Sequence, residues 1–328
     1  MASRNSIPEA YRISVTFWIP MHFTSLAGII LIQLTTWFAR LVRGRVWYGF
    51  MTSLAIFCLS SCLLYISGQQ PTSDLDQAPN YFLCLTQAAL VYSDEPLAIH
   101  MLLSLLLELY WKVSSAHSQN GKTLEKHKRA SSPWLLILPY ASWCLLTIAF
   151  LVFGLRNPSK VVFSGHNPYC ALDQSVPRIF NSVVCAILLL ATMIVLAMIA
   201  VRLVMIKINC QSQPQTGALP SLGEYLGLFI RFTLILIFGV IAVIISIIFA
   251  IEDNSPIMYH VIAQAGVPLV AMIIFGSQKD VLLVWRDLGR RCLGRVRTMG
   301  MFRLASGKTS MTSKCRCSNP VLHKCEND

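Results

Sequence analysis

Long apolar runs alternate with short polar segments over the first 285 residues of the chain. A helix needs about 20 mainly apolar residues to cross a bilayer at a rise of 1.5 Å per residue, and seven runs are long enough. The pattern therefore predicts an all-α fold, a bundle of seven transmembrane helices. The predicted spans are Val15–Ala39, Val46–Gly68, Asn80–Trp111, Trp134–Gly154, Ile179–Ile206, Tyr225–Ile251 and Tyr259–Phe275, the last run continuing to about Trp285.

The pattern of apolar and charged residues changes after the predicted seventh span. In Ser277–Cys292, apolar and charged residues alternate at roughly helical spacing, which indicates a short amphipathic helix on the inner membrane surface. From residue 293 the sequence is basic and poor in large apolar residues, which predicts a disordered cytoplasmic tail. The expected organisation is a seven-transmembrane domain at 1–292, including the amphipathic helix, and a tail at 293–328.

Composition agrees with a membrane protein, since 55% of the residues are hydrophobic and 13% are charged. The net charge of +12 could indicate a nucleic-acid partner. The basic residues lie in alternate loops and at the C-terminus, however, as in cytoplasmic segments that face anionic lipid. The lipid bilayer is therefore the expected partner, and no nucleic acid is expected. The same distribution predicts an extracellular N-terminus and a cytoplasmic C-terminus.

The third span, Asn80–Trp111, carries two adjacent acidic residues, Asp94 and Glu95, near its middle. Counted from Cys84 at the outer boundary, they lie about 15 Å deep in the membrane. Carboxyl groups in hydrocarbon are costly and normally face protein or trapped water, so this helix is expected at the centre of the bundle. Pro96 removes a backbone donor and should bend the helix at this polar point.

The candidate ligand-binding residues are placed around this point. In a functional interpretation, Asp94 and Glu95 form the floor of an outward-facing cavity. In the alternative, they are structural acids that are protonated or hydrogen-bonded to a neighbouring helix, and both interpretations stay open. The other candidates are polar or aromatic residues of the third and neighbouring spans: Gln87, Tyr92, His22, Tyr259, His260 and Gln264.

The eleven cysteines separate by compartment. Four lie inside predicted spans, where cysteine is an ordinary small apolar residue, and five face the reducing cytoplasm. Cys84, at the outer end of span three, and Cys170, between spans four and five, remain on the oxidising side. They are predicted to form a disulfide that folds the second outer loop over the bundle. Cys292 is a palmitoylation candidate, or else an unmodified thiol.

Histidines within the spans suggest a metal-dependent hydrolase with His22, His100 and His260 as ligands. Their depths argue against it, because His260 lies within the outer two turns of its span and His100 about 24 Å below Cys84. The cysteines of the tail do not match the usual spacings of structural zinc sites. No metal, no cofactor and no enzymatic activity are therefore expected.

A possible latch lies at the inner end of the bundle. Glu108 of span three and Arg231 of span six could form an ion pair that holds the two helices together in one of two states. Alternatively, the Arg231 side chain only extends to the membrane interface. The sequence leaves both open.

With these features, the chain resembles seven-helix proteins of the G-protein-coupled-receptor type over about Val15–Cys292. The resemblance rests on the seven spans, the external N-terminus, the cysteine pair and the amphipathic helix after span seven. The segments YFLCLTQAALVY, NPYC and FGSQKDVLLVW are similar to uncharacterised seven-transmembrane proteins of basidiomycete fungi. The last segment is also similar to fungal nutrient-sensing receptors of the glucose and cyclic-AMP-receptor type. Val91 stands where amine receptors carry an aspartate, so a biogenic amine is not expected as the ligand.

The resemblance implies a plasma-membrane receptor that senses an extracellular small molecule and signals to a cytoplasmic heterotrimeric G protein. It also implies that the protein is not an enzyme. The alternative is an ion- or proton-coupled transporter or channel that uses Asp94 and Glu95 for passage across the membrane.

Overall fold

A computed structural model describes residues 9–41, 43–70, 79–117, 133–163, 168–212, 222–251, 257–288 and 290. Helices make up most of this part of the chain. They are α1 (Glu9–Phe38), α2 (Arg45–Ser61), α3 (Tyr81–His117), α4 (Trp134–Arg156), α5 (Ser175–Ser212), α6 (Leu222–Ile251), α7 (Ile257–Gly276) and α8 (Lys279–Leu288).

The chain divides into two compact units, Met1–Val281 and Leu282–Asp328. The first unit contains α1 to α7. The second is described only at residues 282–288 and 290. The predicted domain boundary after residue 292, the candidate palmitoylation site Cys292 and the tail therefore lie outside the described residues.

Among the described residues, five helical segments are long and apolar enough to cross a membrane on their own, and a sixth results if α7 and α8 are counted together. These helices confirm an all-α, multi-pass membrane protein; the number seven and the orientation of the termini stay predictions. The five segments are Val15–Phe38, Tyr81–Ser114, Trp134–Arg156, Ser175–Ile206 and Leu226–Ile245.

The predicted second span, Val46–Gly68, is not one continuous helix. It ends at Ser61, and a separate helical turn, Leu63–Ile66, follows the break at Cys62. The hydroxyl groups of Ser60 and Ser61 donate to main-chain carbonyls one turn back. Serine side chains that bond back in this way weaken and bend a helix, which accounts for a break at this point.

The predicted seventh span, Tyr259–Phe275, corresponds to α7, but its predicted continuation does not. A single run continuing to about Trp285 was expected, but α7 ends at Gly276 and α8 begins at Lys279. A separate helix, α8, is present where the amphipathic helix was expected, and its place on the inner membrane surface stays a prediction.

Helix α3 occupies the centre of the bundle, as its two buried acids predict. It packs against α2, α4 and α5, and it continues through Pro96 without interruption. The remaining contacts close the bundle around it, since α1 packs against α2 and α7, and α6 packs against α5 and α7. Helix α3 therefore packs against three helices and also against both strands of the loop between α4 and α5.

The outward surfaces of the helices are apolar. Helices α4 and α5 alone expose many large hydrophobic side chains, among them Leu145, Ile148, Ile187 and Leu190. Such a surface is unfavourable in water and is satisfied by lipid tails. The bilayer is thus a partner of this chain.

The loop between α4 and α5 has a small structure of its own. A short 3₁₀ turn, Pro158–Lys160, leads into strand β1 (Val161–Val162), which pairs antiparallel with β2 (Ala171–Leu172). Cys170 immediately precedes β2 and forms the predicted disulfide with Cys84 at the start of α3. Both cysteines are buried, so the hairpin is fixed against α3.

Candidate functional site

Glu95 joins three helices near the middle of the bundle. Its Oε2 accepts a hydrogen bond from the Asn181 amide of α5 at 2.9 Å, and its Oε1 accepts one from the Gln264 amide of α7 at 2.5 Å. Asn181 and Gln264 are each 6% exposed. The carboxyl group on the central helix thus holds α5 and α7 through two buried amides. We refer to Glu95, Asn181 and Gln264 as the Glu95 clasp.

Asp94 has a different set of neighbours, although it adjoins Glu95 in the chain. It is fully buried, and its Oδ1 accepts a hydrogen bond from the indole Nε1 of Trp143 in α4 at 2.7 Å. Successive residues of a helix point about 100° apart, so the Asp94 carboxyl group faces α4 while that of Glu95 faces α5 and α7. The two acids, predicted together, therefore belong to separate sites.

A cavity of about 80 Å³ adjoins the Glu95 clasp. Five helices contribute to its wall, which is apolar except for a few groups, chiefly Glu95, Gln264 and Ser182. The apolar wall includes Leu54 and Phe57 of α2, Ala98 and Ile99 of α3, Cys185 of α5, Gly239, Ala242 and Val243 of α6, and Val267 of α7. An apolar wall with a few convergent polar groups is typical of a ligand site, although this cavity is small for one.

The loop between α4 and α5, which is the predicted second outer loop, covers one end of this cavity. Tyr169, next to the disulfide, is buried among Trp18 of α1, Val91 of α3 and Ala265 of α7. Its ring stacks on Trp18 with centroids 5.5 Å apart. Burial raises the pKa of the Tyr169 hydroxyl well above its ordinary value, so it remains a neutral phenol. Since Val91 is one helical turn outward of Glu95, Tyr169 covers the clasp.

Gln87 was predicted as a ligand-binding residue, but in the structure its side-chain amide forms hydrogen bonds within the protein. Its Nε2 donates to the main-chain carbonyls of Ser60 and Ser61, at 3.2 and 3.1 Å, and its Oε1 accepts from the Cys170 N–H at 3.1 Å. The residue is fully buried. It therefore ties the outer loop to the break in α2.

His22 and Tyr92 lie among aromatic side chains. The His22 ring is buried, 4.3 Å from Trp18 and 5.6 Å from Phe57 by ring centroids, and neither ring nitrogen has a hydrogen-bond partner in the described structure. Tyr92 packs on Phe150 of α4 at 5.6 Å. Neither residue lines the cavity. The side chains of Tyr259 and His260 lie outside what the structure describes.

No cluster of His, Cys, Asp or Glu in the described ranges could hold a metal ion. His100, one of the three histidines considered for such a site, contacts the Ser142 hydroxyl of α4 through Nδ1 at 3.1 Å. It is a partly buried histidine with a polar partner.

At the inner end, Glu108 pairs with Lys112 one turn further along α3, at 2.7 Å. Its carboxylate also packs on Gly44, where a Cβ atom would lie 2.6 Å from Glu108 Oε1. The two ion pairs of the described residues do not include Arg231. The latch between Glu108 and Arg231 stays a prediction.

A second polar contact at the inner end was not predicted. The Arg43 guanidinium, between α1 and α2, donates to Gln278 at 2.5 Å and to Asp280, both next to the break between α7 and α8. It also lies 5.7 Å from the ring of Trp47. In the sequence Arg43 was counted only among the basic residues of a cytoplasmic loop. The partners stand more than 230 positions away in the chain, so no local pattern connects them.

The sequence matches no protein-family model, and no curated protein is significantly similar to it. The resemblance to seven-helix receptors therefore stays a prediction.

Proposed function

We propose that this chain is a seven-helix receptor of the plasma membrane that binds an extracellular small molecule in the cavity beside Glu95. In this proposal the N-terminus is extracellular, and a heterotrimeric G protein binds the cytoplasmic side. The observation that carries it is the apolar cavity at the Glu95 clasp, lying beneath an outer loop that the Cys84–Cys170 disulfide holds in place.

The Glu95 clasp couples ligand binding to the packing of the helices. A ligand that hydrogen-bonds with Glu95 or Gln264 competes with the bonds that join α3 to α5 and α7. A ligand shifts a conformational equilibrium only by binding one state better than another, and bonds between helices that differ between states provide this difference. Helix α3 then transmits the change inward because it packs against α2, α4 and α5.

The alternative function, an ion- or proton-coupled transporter or channel, uses Asp94 and Glu95 together. Their partners lie on different sides of α3, with Asp94 bonded toward α4 and Glu95 toward α5 and α7. This separation favours the receptor, because a shared path requires both carboxyl groups to face one space.

The decisive experiment is purification of the full chain with heterotrimeric G protein from cells that express both. A receptor is expected to retain a Gα subunit that GTP analogues release, and Glu95→Gln is expected to reduce ligand-stimulated nucleotide exchange at least tenfold. A proteoliposome flux assay tests the alternative. Ion-dependent uptake that Asp94→Asn abolishes would establish the transporter and contradict the receptor.

A further inference from the structure

Hydrogen-bond acceptors are in excess at the Glu95 clasp. Each carboxylate oxygen of Glu95 accepts one amide N–H and can accept another. The Oε1 atom of Gln264 is buried and has no hydrogen-bond partner in the part of the chain that the structure describes. Ser182 adds a hydroxyl group to the cavity wall. A matching ligand therefore carries several N–H or O–H donors at one end.

Glu95 also has no basic partner among the described residues. Neither of the ion pairs found within the described ranges involves it; its two partners are neutral amides. Away from water and without a cation, a carboxyl group is favoured in its neutral form, whereas a cation placed against it stabilises the carboxylate. The donor end of the ligand is therefore expected to be positively charged.

The remaining cavity wall is apolar and favours a ligand with a short hydrocarbon chain. Leu54, Phe57, Ile99, Val243 and Val267 form most of the remaining wall. An apolar protein cavity of about 150 Å³ holds a benzene molecule, so the 80 Å³ found here admits a smaller body of about three to five heavy atoms. An aromatic amine does not fit this space.

We propose that the cavity binds a short-chain primary aliphatic amine in its protonated form. The inference rests on the proposed receptor function and names the class of its ligand. The three N–H donors of the ammonium group match Glu95, Gln264 Oε1 and the Ser182 hydroxyl, and the alkyl chain contacts the apolar wall. An alcohol leaves the carboxylate charge uncompensated, a carboxylic acid is repelled by it, and an inorganic cation leaves the apolar wall without a contact.

The proposed site lies at a different position on α3 from the acidic residue of amine receptors. The position that carries an aspartate in those receptors is Val91, which here packs against Tyr169. Glu95 lies one helical turn deeper on α3, below that contact. Val91, Tyr169, Trp18 and Ala265 fill the space at that level, so the smaller cavity beside Glu95 is the one available to a ligand.

The test uses the full chain, purified and reconstituted in lipid nanodiscs, with radiolabelled isobutylamine as the probe. Equilibrium dialysis is expected to show saturable binding, at least tenfold tighter than that of isobutanol or isobutyric acid, which have the same shape with no charge or the opposite charge. Glu95→Gln is expected to weaken isobutylamine binding at least tenfold. Asp94→Asn is the matched control, since this acid bonds Trp143 outside the cavity, and is expected to change the affinity less than twofold.

A second variant keeps the test informative if Glu95→Gln does not fold. Ala242→Leu fills the cavity from α6 without touching the carboxyl group and is expected to abolish isobutylamine binding. Equal affinity for isobutylamine and isobutanol would overturn the proposal. Unchanged amine affinity in Ala242→Leu would also do so.

The outcomes separate the ligand class from the receptor function. G-protein activation by a compound of another class, in a protein that does not bind isobutylamine, would overturn the ligand class and leave the receptor intact. Saturable, Glu95-dependent amine binding by a protein that retains no Gα subunit would support the amine site and contradict the receptor.

Discussion

The main-chain N–H of Cys170 donates a hydrogen bond to the side-chain Oε1 of Gln87, 3.1 Å away. The outer loop is thus attached to α3 by a hydrogen bond as well as by the neighbouring disulfide. Because the Nε2 of Gln87 also donates to the carbonyls of Ser60 and Ser61, the same side chain stabilises the broken end of α2. One buried amide therefore joins the loop that covers the cavity to two helices.

The first prediction concerns this amide. Gln87→Leu is expected to lower the unfolding free energy by about 2–3 kcal/mol, because it leaves two carbonyls and one N–H buried without partners. Thermal unfolding of the purified protein in detergent measures the effect. The control is Thr86→Val, since Thr86 is exposed and bonds only within its own helix. If both variants lower the melting temperature equally, the bridging role of Gln87 is wrong.

The second prediction concerns the disulfide. Cys84→Ser and Cys170→Ser are each expected to cost about 2–4 kcal/mol, because the bond closes a loop between residues 86 positions apart. The double variant should be no less stable than either single one, as expected for two residues that act through one bond. Cys144→Ser, at an exposed free cysteine on α4, should leave the melting temperature unchanged. Additive losses in the double variant would contradict a shared bond.

The helices could be predicted from local sequence, and the disulfide could be predicted from the compartment expected for each cysteine. An apolar run of bilayer length is visible residue by residue, and sorting cysteines by compartment left Cys84 and Cys170 as the oxidisable pair. The break at Cys62 was not predicted, because the amide that bonds the serine carbonyls at the break, that of Gln87, belongs to another helix.

The partners of the two acids could be predicted only in part. Gln264 was a candidate because it is a polar residue inside an apolar run, and Asn181 gives the same signal near the start of α5. Trp143 gives none, since tryptophan is common in membrane helices. Nothing in the sequence states which face of α3 meets which neighbour, so Asp94 and Glu95 were expected at one site. Packing of the helices separates them.

The third prediction concerns the contact between α1 and α7. A Cβ atom on Gly28 would lie 2.6 Å from Met272 Cγ and 2.7 Å from its Sδ, so the Met272 side chain occupies the space that a side chain at residue 28 would need. Gly28→Ala is expected to destabilise the protein by about 1–3 kcal/mol through overpacking. Gly266→Ala on α7 is the control, because no atom lies within 4 Å of its added methyl group. Its thermal stability should stay equal or rise, since alanine favours helix.

The fourth prediction concerns the ion pair between Arg43 and Asp280. Asp280 is 43% exposed and Arg43 18%, so solvent screens the pair and its coupling is expected to be about 1 kcal/mol. A double-mutant cycle of Arg43→Gln and Asp280→Asn in thermal unfolding measures this coupling. A parallel cycle of Arg45→Gln with Asp280→Asn should give none, because Arg45 is exposed and makes no ion pair in the described ranges. Equal coupling in both cycles would show a general charge effect instead of a specific pair.

The fifth prediction concerns the inner end of α3, where Glu108 pairs with Lys112. If a latch with Arg231 forms in a second state, Glu108 must exchange partners, and Lys112 and Arg231 compete for one carboxylate. Glu108→Gln and Arg231→Gln should then change basal G-protein signalling in the same direction, at least twofold, and the double variant should change it no further. Lys112→Gln should change it in the opposite direction, because it frees Glu108 for Arg231. Unchanged basal signalling in Glu108→Gln, at equal surface expression, would rule out the latch and leave Arg231 as an interfacial cation.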